Sequence, residues 1–241
     1  MGITDFKIIN IKIDNLKVKY KYYTMTQIYI EGNIGTGKTT FLDLISTLYP
    51  QDSVVYEPVD QWIETKDSDN TNILDKFYND QNRWAFTFQM NSFISRIKSI
   101  NEVPKTKITF IERSVFTDKI CFAKNCYENG KMTKIEYDIY DNWHSWLCEK
   151  FDVKPKYFIY LRTTPEISEE RIKKRSRKEE SDIPIGYLRQ LHNLHEEWME
   201  DNIQRGIKVL ILDVSVNFYR NDLEKTKIIN LLYDFIKPSQ P

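Results

Sequence analysis

The chain has 241 residues, 41% of them hydrophobic, and its 35 basic side chains are matched by 35 acidic ones. One large core accounts for such a length without a second domain, and zero net charge excludes an overall field that would hold the protein on nucleic acid or an anionic membrane. Any phosphate site must be local, and no apolar run approaches the ~18 residues of a membrane span.

Residues 1–24 read as an extension whose composition allows disorder, ahead of a folded unit over residues 25–241. They lack the three-part pattern of a secretory signal. Asp5 and Asp14, with no Arg, argue against a mitochondrial transit segment. Cys121, Cys126 and Cys148 have neither metal-ligand spacing nor an even number for disulfides, which predicts free thiols in a reducing, cytoplasmic setting.

Short apolar runs at 27–31, 53–56, 107–111, 157–161 and 208–212 predict buried strands, and the stretches between them have helical periodicity. The expected fold is α/β, a doubly wound parallel sheet of five strands flanked by helices, with a surface loop over 67–71.

After the first strand, Gly32-Asn33-Ile34-Gly35-Thr36-Gly37-Lys38-Thr39, followed by Thr40, fits the phosphate-loop pattern GxxxxGK[ST] without a mismatch. Glycines let the loop turn its amides inward, Lys38 reaches β- and γ-phosphates, and the Thr39 hydroxyl suits Mg²⁺. The motif implies a nucleoside triphosphate and leaves the acceptor open.

The second strand ends in Glu57-Pro58 with Trp62 behind it, and a carboxylate there faces the ligand crevice of an open sheet, where it can take a proton from a hydroxyl. A helix over 84–100 carries Phe86, Met90, Phe93, Ile94 and Ile97 on one face and Gln89, Ser92 and Arg96 in a separate polar stripe, with Tyr78, Trp84 and Phe88 offering aromatic surface to a flat base. The third strand leads to Glu112-Arg113-Ser114 and Asp118, where an Arg fork can serve both Glu57 and a phosphate oxygen.

Asp138, Tyr140, Trp143 and Trp146 form an aromatic helical stretch suited to core packing or to a dimer face. Arg171 and Arg175 lie one helical turn apart with Arg177 close behind, in a basic run, RIKKRSRK. Taken alone, that run could also be a nucleic-acid patch or a localisation signal, a reading disfavoured by its shortness and by the neutral chain. His192 and His195 sit three apart on a predicted helix, where packing is favoured over metal binding.

The blocks GNIGTGKTT, EPVDQW, RWAFTFQ, IERSVFTD and RIKKRSRKEE, in this order, resemble the deoxyribonucleoside kinase family, with the likeness covering residues 27–236. The resemblance implies a P-loop kinase with an arginine-rich lid, in which Arg171, Arg175 and Arg177 close over the transferring phosphoryl group, ATP as phosphate donor with Mg²⁺, a small deoxyribonucleoside as acceptor and a homodimer paired through helices. It casts Glu57 as the base that receives the 5′-hydroxyl proton, Arg113 as its partner and Glu112 as a residue that organises Mg²⁺ through water. It gives Tyr78 and Glu180 the sugar 3′-hydroxyl, Gln89 the base edge, and Trp62, Leu74, Phe77, Phe88 and Phe122 the walls.

Ser92, Arg96 and Asp118 stand where family members differ. Arg96 and Asp118 are expected to pair across the pocket and present donors and an acceptor to a base edge. Family members that accept thymidine resemble each other in small or aliphatic residues at these places, so the resemblance implies guanine, adenine or cytosine over thymine, with Ser92 closer to the deoxyguanosine kinase pattern. Asn217, before Phe218, replaces the acid that many relatives carry near the ATP base, leaving the donor preference open. Two other readings share the loop. A thymidylate kinase-like monophosphate kinase is opposed by Tyr56 beside Glu57, where an Arg is expected, and a noncatalytic nucleotide-binding subunit is opposed by the full set of catalytic side chains.

Overall fold

The structure is a computed structural model that describes residues 26–237. The expected extension over 1–24 lies outside the described residues. Five parallel strands, β1 (Thr26–Glu31), β2 (Ser53–Val55), β3 (Ile108–Glu112), β4 (Tyr157–Arg162) and β5 (Lys208–Asp213), form one sheet in the order β2-β3-β1-β4-β5. All five expected strands are present. β2 stops one residue before the expected Tyr56, as the chain turns toward Pro58, which has no N–H for a ladder.

The strands are continuously apolar because both faces of the sheet are covered. On one face Ile28, Ile30 and Phe110 pack against Phe41, Leu42 and Ile45 of α1 (Lys38–Leu48) and Leu232 of α10 (Asp222–Ile236). On the other, Tyr29, Ile111 and Phe158 pack against Leu188, Leu191 and Trp198 of α9 (Ile185–Gln204). His195 belongs to this second layer, with its ring parallel to Tyr160 and its Nδ1 2.6 Å from the Leu191 carbonyl oxygen. Burial pushes it down to about 3, so it is a neutral packing residue, as expected.

A third cluster contains no strand residue. It joins α2 (Val59–Glu64), α3 (Ile73–Asn79), α4 (Gln81–Glu102), α5 (Val115–Thr117), α6 (Lys124–Glu128) and α7 (Lys134–Lys150) around Phe77, Phe88, Phe93 and Tyr140. Truncating the fully buried Phe93 to Ala would cost about 3–5 kcal/mol. Between α5 and α6 a π-helical turn spans Asp118–Ala123.

The α4 helix exceeds the expected 84–100 at both ends, and its earlier start follows from Asp80, which caps it by accepting from the Arg83 amide. Its polar stripe is internal: Gln89, Ser92 and Arg96 are all buried. Ile94 departs from the expected apolar face and is 47% exposed, since the core reaches this helix from the sides of Phe93 and Ile97. On α7 a Thr133–Glu136 capping box starts the helix, Tyr140 enters the core, and Ile135, Ile139, Trp143 and Trp146 face solvent. The remaining helix, α8 (Pro165–Arg175), starts at a Thr164 cap and ends at Ser176 in a left-handed conformation.

Candidate active site

Register places the site. Ile30 of β1 is level with Glu112 of β3 and Ile159 of β4, so the chain leaves β1 and β3 side by side at the same edge. Val55 of β2 is level with Ile111, which brings Glu57 to that edge as well. Glu57, the phosphate loop and Glu112-Arg113 thus open onto one crevice at the strand ends.

The loop needs glycine where it leaves the sheet. Gly32 has φ +145°, and a Cβ there would lie 2.7 Å from the Leu161 carbonyl oxygen. Gly37 precedes α1 in a left-handed conformation with no side-chain cap, so the first amides of that helix remain open to an anion. Lys38 folds back, donating to the carbonyls of Gly32 (3.0 Å) and Asn33 (2.7 Å). Burial, then the Arg113 charge, lower its ammonium to about 7.

Arg113 holds the two halves of the crevice together. It has φ +63°, its amide donates to the Ile30 carbonyl, Nη1 donates to the Gly32 carbonyl (3.2 Å) and Nε donates to Glu57 Oε1 (3.1 Å). Its guanidinium also lies 4.8 Å from the Phe122 ring centre. Burial alone would raise Glu57, but the charges of Arg113, Arg96 and Lys38 outweigh it and bring the carboxyl down to about 2. Glu57 is therefore ionised. Glu112 accepts from Thr39 Oγ1 through Oε1 (2.8 Å) and from the Glu57 amide through Oε2 (3.3 Å), so a hydroxyl and a carboxylate suited to Mg²⁺ meet at the start of α1.

A single cavity of about 1090 Å³ takes in most of the expected residues. One end is lined by loop residues 34–40 with Arg171, Asn217 and Phe218. The other is lined by Trp62, Leu74, Phe77, Tyr78, Phe88, Gln89, Ser92, Asp118 and Phe122, with Glu57, Glu112, Arg113, Arg175, Arg177 and Glu180 at the junction. Phe88 stacks on Phe77 at 4.5 Å and meets the Trp62 edge at 5.3 Å. Gln89 Nε2 is buried with no partner among the described residues, as a group awaiting a ligand acceptor would be. Burial and the Glu57 charge hold Tyr78 up at about 12, a neutral hydroxyl donor at ordinary pH.

Trp84, expected to offer aromatic surface to the base, does not line the cavity and instead has the Lys76 and Arg83 cations over its ring. Three further expected residues stand one layer behind the cavity wall. Gly32 and Asn33 contribute the carbonyls that hold Lys38, and Asn33 Nδ2 donates to the Leu188 carbonyl. Arg96 differs from expectation. It is 1% exposed, bonds Asp118 with Nε (2.7 Å) and Nη2 (3.0 Å), and directs Nη2 to Glu57 Oε1 (2.8 Å) and Nη1 to the Glu112 carbonyl (2.9 Å). Its fork is turned to the carboxylates, leaving Asp118, Gln89 and Ser92 facing the pocket.

The three lid arginines are not equivalent. Arg171 donates to the carbonyls of Thr36, Val214 and Ser215, tying α8 to the phosphate loop and to the segment after β5. Arg175 and Arg177 both pair with Glu180. Phe218 packs edge-on against Phe41 in the core, and Asn217 Oδ1 accepts from the Tyr219 amide.

Sequence reasoning missed several groups. Asp43, Asp60, Tyr219 and Arg220 also line the cavity, and Asp43, one turn after Thr39, bonds the Tyr56 hydroxyl at 2.8 Å. Helical spacing from Thr39 could have found Asp43. Glu31 is fully buried beside the hydroxyls of Ser114 and Thr117, and burial lifts it to about 7 against the opposing pull of those hydroxyls and of Arg113 and Arg96. Its alternation with Tyr29 along β1, which sends both side chains to one face, was the available signal.

A sequence model of the family described as Deoxynucleoside kinase matches residues 28–237. The chain is 38% identical over 217 residues to a probable deoxycytidine kinase of fowlpox virus, covering 88% of this chain and 89% of that protein. It is 36% identical to the deoxycytidine kinase of Homo sapiens (83% and 89% covered) and 32% identical to a mitochondrial deoxyguanosine kinase of Xenopus laevis (90% and 91% covered).

Proposed function

We propose, because the chain belongs to the deoxynucleoside kinase family and is itself a deoxynucleoside kinase, that it moves the γ-phosphate of ATP to the 5′-hydroxyl of deoxyguanosine, deoxyadenosine or deoxycytidine in preference to thymidine. The observation that carries this reading is the pair of contacts made by Arg113, to Glu57 and to the Gly32 carbonyl that also holds Lys38. A bare sugar alcohol beside Glu57 would thereby meet a phosphate held at Lys38.

Glu57, ionised between two guanidiniums, accepts the 5′-hydroxyl proton. Tyr78 and Glu180 hold the 3′-hydroxyl, Gln89 and Asp118 read the base edge, and Phe88 and Phe122 flank the ring. The loop amides and Lys38 cradle the donor phosphates, and Arg175 and Arg177 supply positive charge to the transferring group. Mg²⁺, held through Thr39 and Glu112, would neutralise the β- and γ-phosphate charge. Asn217 borders the donor base.

We further place the kinase unit at residues 25–241, in the cytoplasm, where free thiols persist and the 5′-monophosphate enters nucleotide salvage. Among the described residues no helix is long and apolar enough to cross a membrane. The homodimer is assigned to the α7 face, where Ile135, Ile139, Trp143 and Trp146 are exposed together on one helix. The test is side-by-side phosphorylation of the four deoxyribonucleosides by the purified protein with ATP. Thymidine as the best substrate overturns the base preference, and turnover of none overturns the acceptor assignment.

A further inference from the structure

One contact joins the lid to the acceptor side and belongs to none of the roles above. The chain reaches α3 through a loop closed by an antiparallel bridge between Lys66 and Asn72. Asn72 caps α3, its Oδ1 accepting from the Asp75 amide at 2.8 Å. The other end of the same buried amide donates to Glu179 Oε1 at 2.7 Å, across 107 positions of sequence.

Each partner is next to a working residue. Glu179 lies in the 3₁₀ turn Lys178–Glu180, and its neighbour Glu180 takes both Arg175 and Arg177. The helix that Asn72 caps carries Leu74, Phe77 and Tyr78, which line the acceptor end of the cavity. The lid is supported at its start by α8, through Arg171 on the phosphate loop, and it then passes the left-handed Ser176. Beyond that bend, the Asn72–Glu179 bond ties it directly to the acceptor helix.

We propose that Asn72 is a positioning residue that latches the arginine lid to α3, so that the sugar-holding pair Tyr78 and Glu180 and the clamp of Arg175 and Arg177 close as one unit. This rests on the acceptor assignment made above. An amide suits the task because it has an acceptor for the helix cap and a donor for Glu179 on one side chain. A carboxylate acceptor makes the bond charge-assisted and short.

The chemistry allows the latch to be separated from the cap. Asn72→Asp keeps the cap, since Asp and Asn serve equally there, but replaces the donor with a second carboxylate facing Glu179. Glu179→Gln keeps an acceptor for Asn72. The double variant Asn72→Asp/Glu179→Gln restores one donor and one acceptor with their roles exchanged.

The readouts are kcat/KM for the deoxyribonucleoside and amide hydrogen exchange over residues 176–182, in full-length wild type and the three variants. Asn72→Asp is expected to lower kcat/KM about tenfold, mainly through KM, and to speed exchange in the lid while the melting temperature stays put. Glu179→Gln should stay near wild type, and the double variant should recover both signals. Wild-type kcat/KM and exchange in Asn72→Asp, or a double variant as impaired as Asn72→Asp, overturns the latch. Exchange does not depend on substrate identity, so a wild type that phosphorylates no deoxyribonucleoside removes the acceptor assignment while the latch is still read from the lid.

Discussion

Glu57→Gln isolates the charge of the base from its shape. Gln keeps an oxygen for Arg113 Nε and Arg96 Nη2, which now reach Glu57 Oε1 at 3.1 and 2.8 Å, so the crevice should hold its form. Arg96 retains Asp118 and the Glu112 carbonyl, and Arg113 retains the Gly32 carbonyl. The stability cost should therefore be about 1–3 kcal/mol, below the ~3–5 kcal/mol for stripping a buried ion of its only partner. Turnover loses a proton acceptor, a factor of about 10²–10⁴, or ~3–5 kcal/mol of barrier. The assay is transfer of labelled γ-phosphate to deoxycytidine at saturating ATP, with ADP affinity measured by calorimetry. A variant that keeps kcat within about threefold of wild type, while binding ADP normally, would falsify the base role. The pH profile adds a check. The carboxyl is depressed to about 2, so its contribution to stability is present above the unfolded value near 4.3 and is lost only as pH falls toward 2. Glu57 gives kcat no acid limb between about pH 7 and pH 5.

Lys38, lowered to about 7 and close to the phosphate path, should take up a proton when ADP binds at about pH 8, because the bound anion favours the ammonium. Calorimetric heats that do not vary between buffers of different ionisation enthalpy would count against this. Glu31, raised to about 7, binds its proton more tightly folded than unfolded, so wild-type stability should decline as pH rises from about 5 to 8. Glu31→Gln should remove up to roughly 3 kcal/mol of that decline, read from urea midpoints at both pH values, and an unchanged slope refutes the placement. Trp143→Glu, at an exposed position on α7, should convert a dimer to a monomer in sedimentation velocity with little loss of melting temperature, whereas an unaltered sedimentation coefficient places the interface elsewhere.

The legible parts were those dictated locally. A run such as Tyr157–Arg162 announces a strand buried on both faces by its continuous apolar character, and Gly32 and Gly37 announce a loop because their φ angles are closed to other residues. The stripe of Gln89, Ser92 and Arg96 followed from helical spacing, but the direction of the Arg96 fork did not. Asp118, at the start of a π-helical turn 22 positions away, and Glu57, 39 positions away, draw that fork out of the pocket. Helical periodicity has no term for a partner on another element. The same holds for Asn72 and Glu179, whose residue types suggest only a cap and a solvated acid until the lid is folded over α3.

Gly32 offers the most demanding test of how the two halves of the crevice depend on each other. Its carbonyl receives both Lys38 Nζ and Arg113 Nη1, so the donor loop and the Glu57–Arg113 pair take their positions from one peptide. An added Cβ would meet the Leu161 carbonyl, a backbone atom of β4 that cannot rotate aside, at a φ that L-residues seldom adopt. Gly32→Ala must therefore shift that peptide, carrying Lys38 and Arg113 with it, and both ADP affinity and kcat should fall at least about tenfold, with a loss of ~2 kcal/mol or more of stability. Gly37→Ala is the control. Its φ of +92° is also strained, but a Cβ there meets nothing within 4 Å, so the cost should stay near 1 kcal/mol with the acceptor carboxylate undisturbed. If Gly32→Ala weakens ADP binding while the kcat measured at saturating ADP-forming substrate is unaltered, the donor and acceptor groups are positioned independently, and the coupling through this carbonyl is wrong.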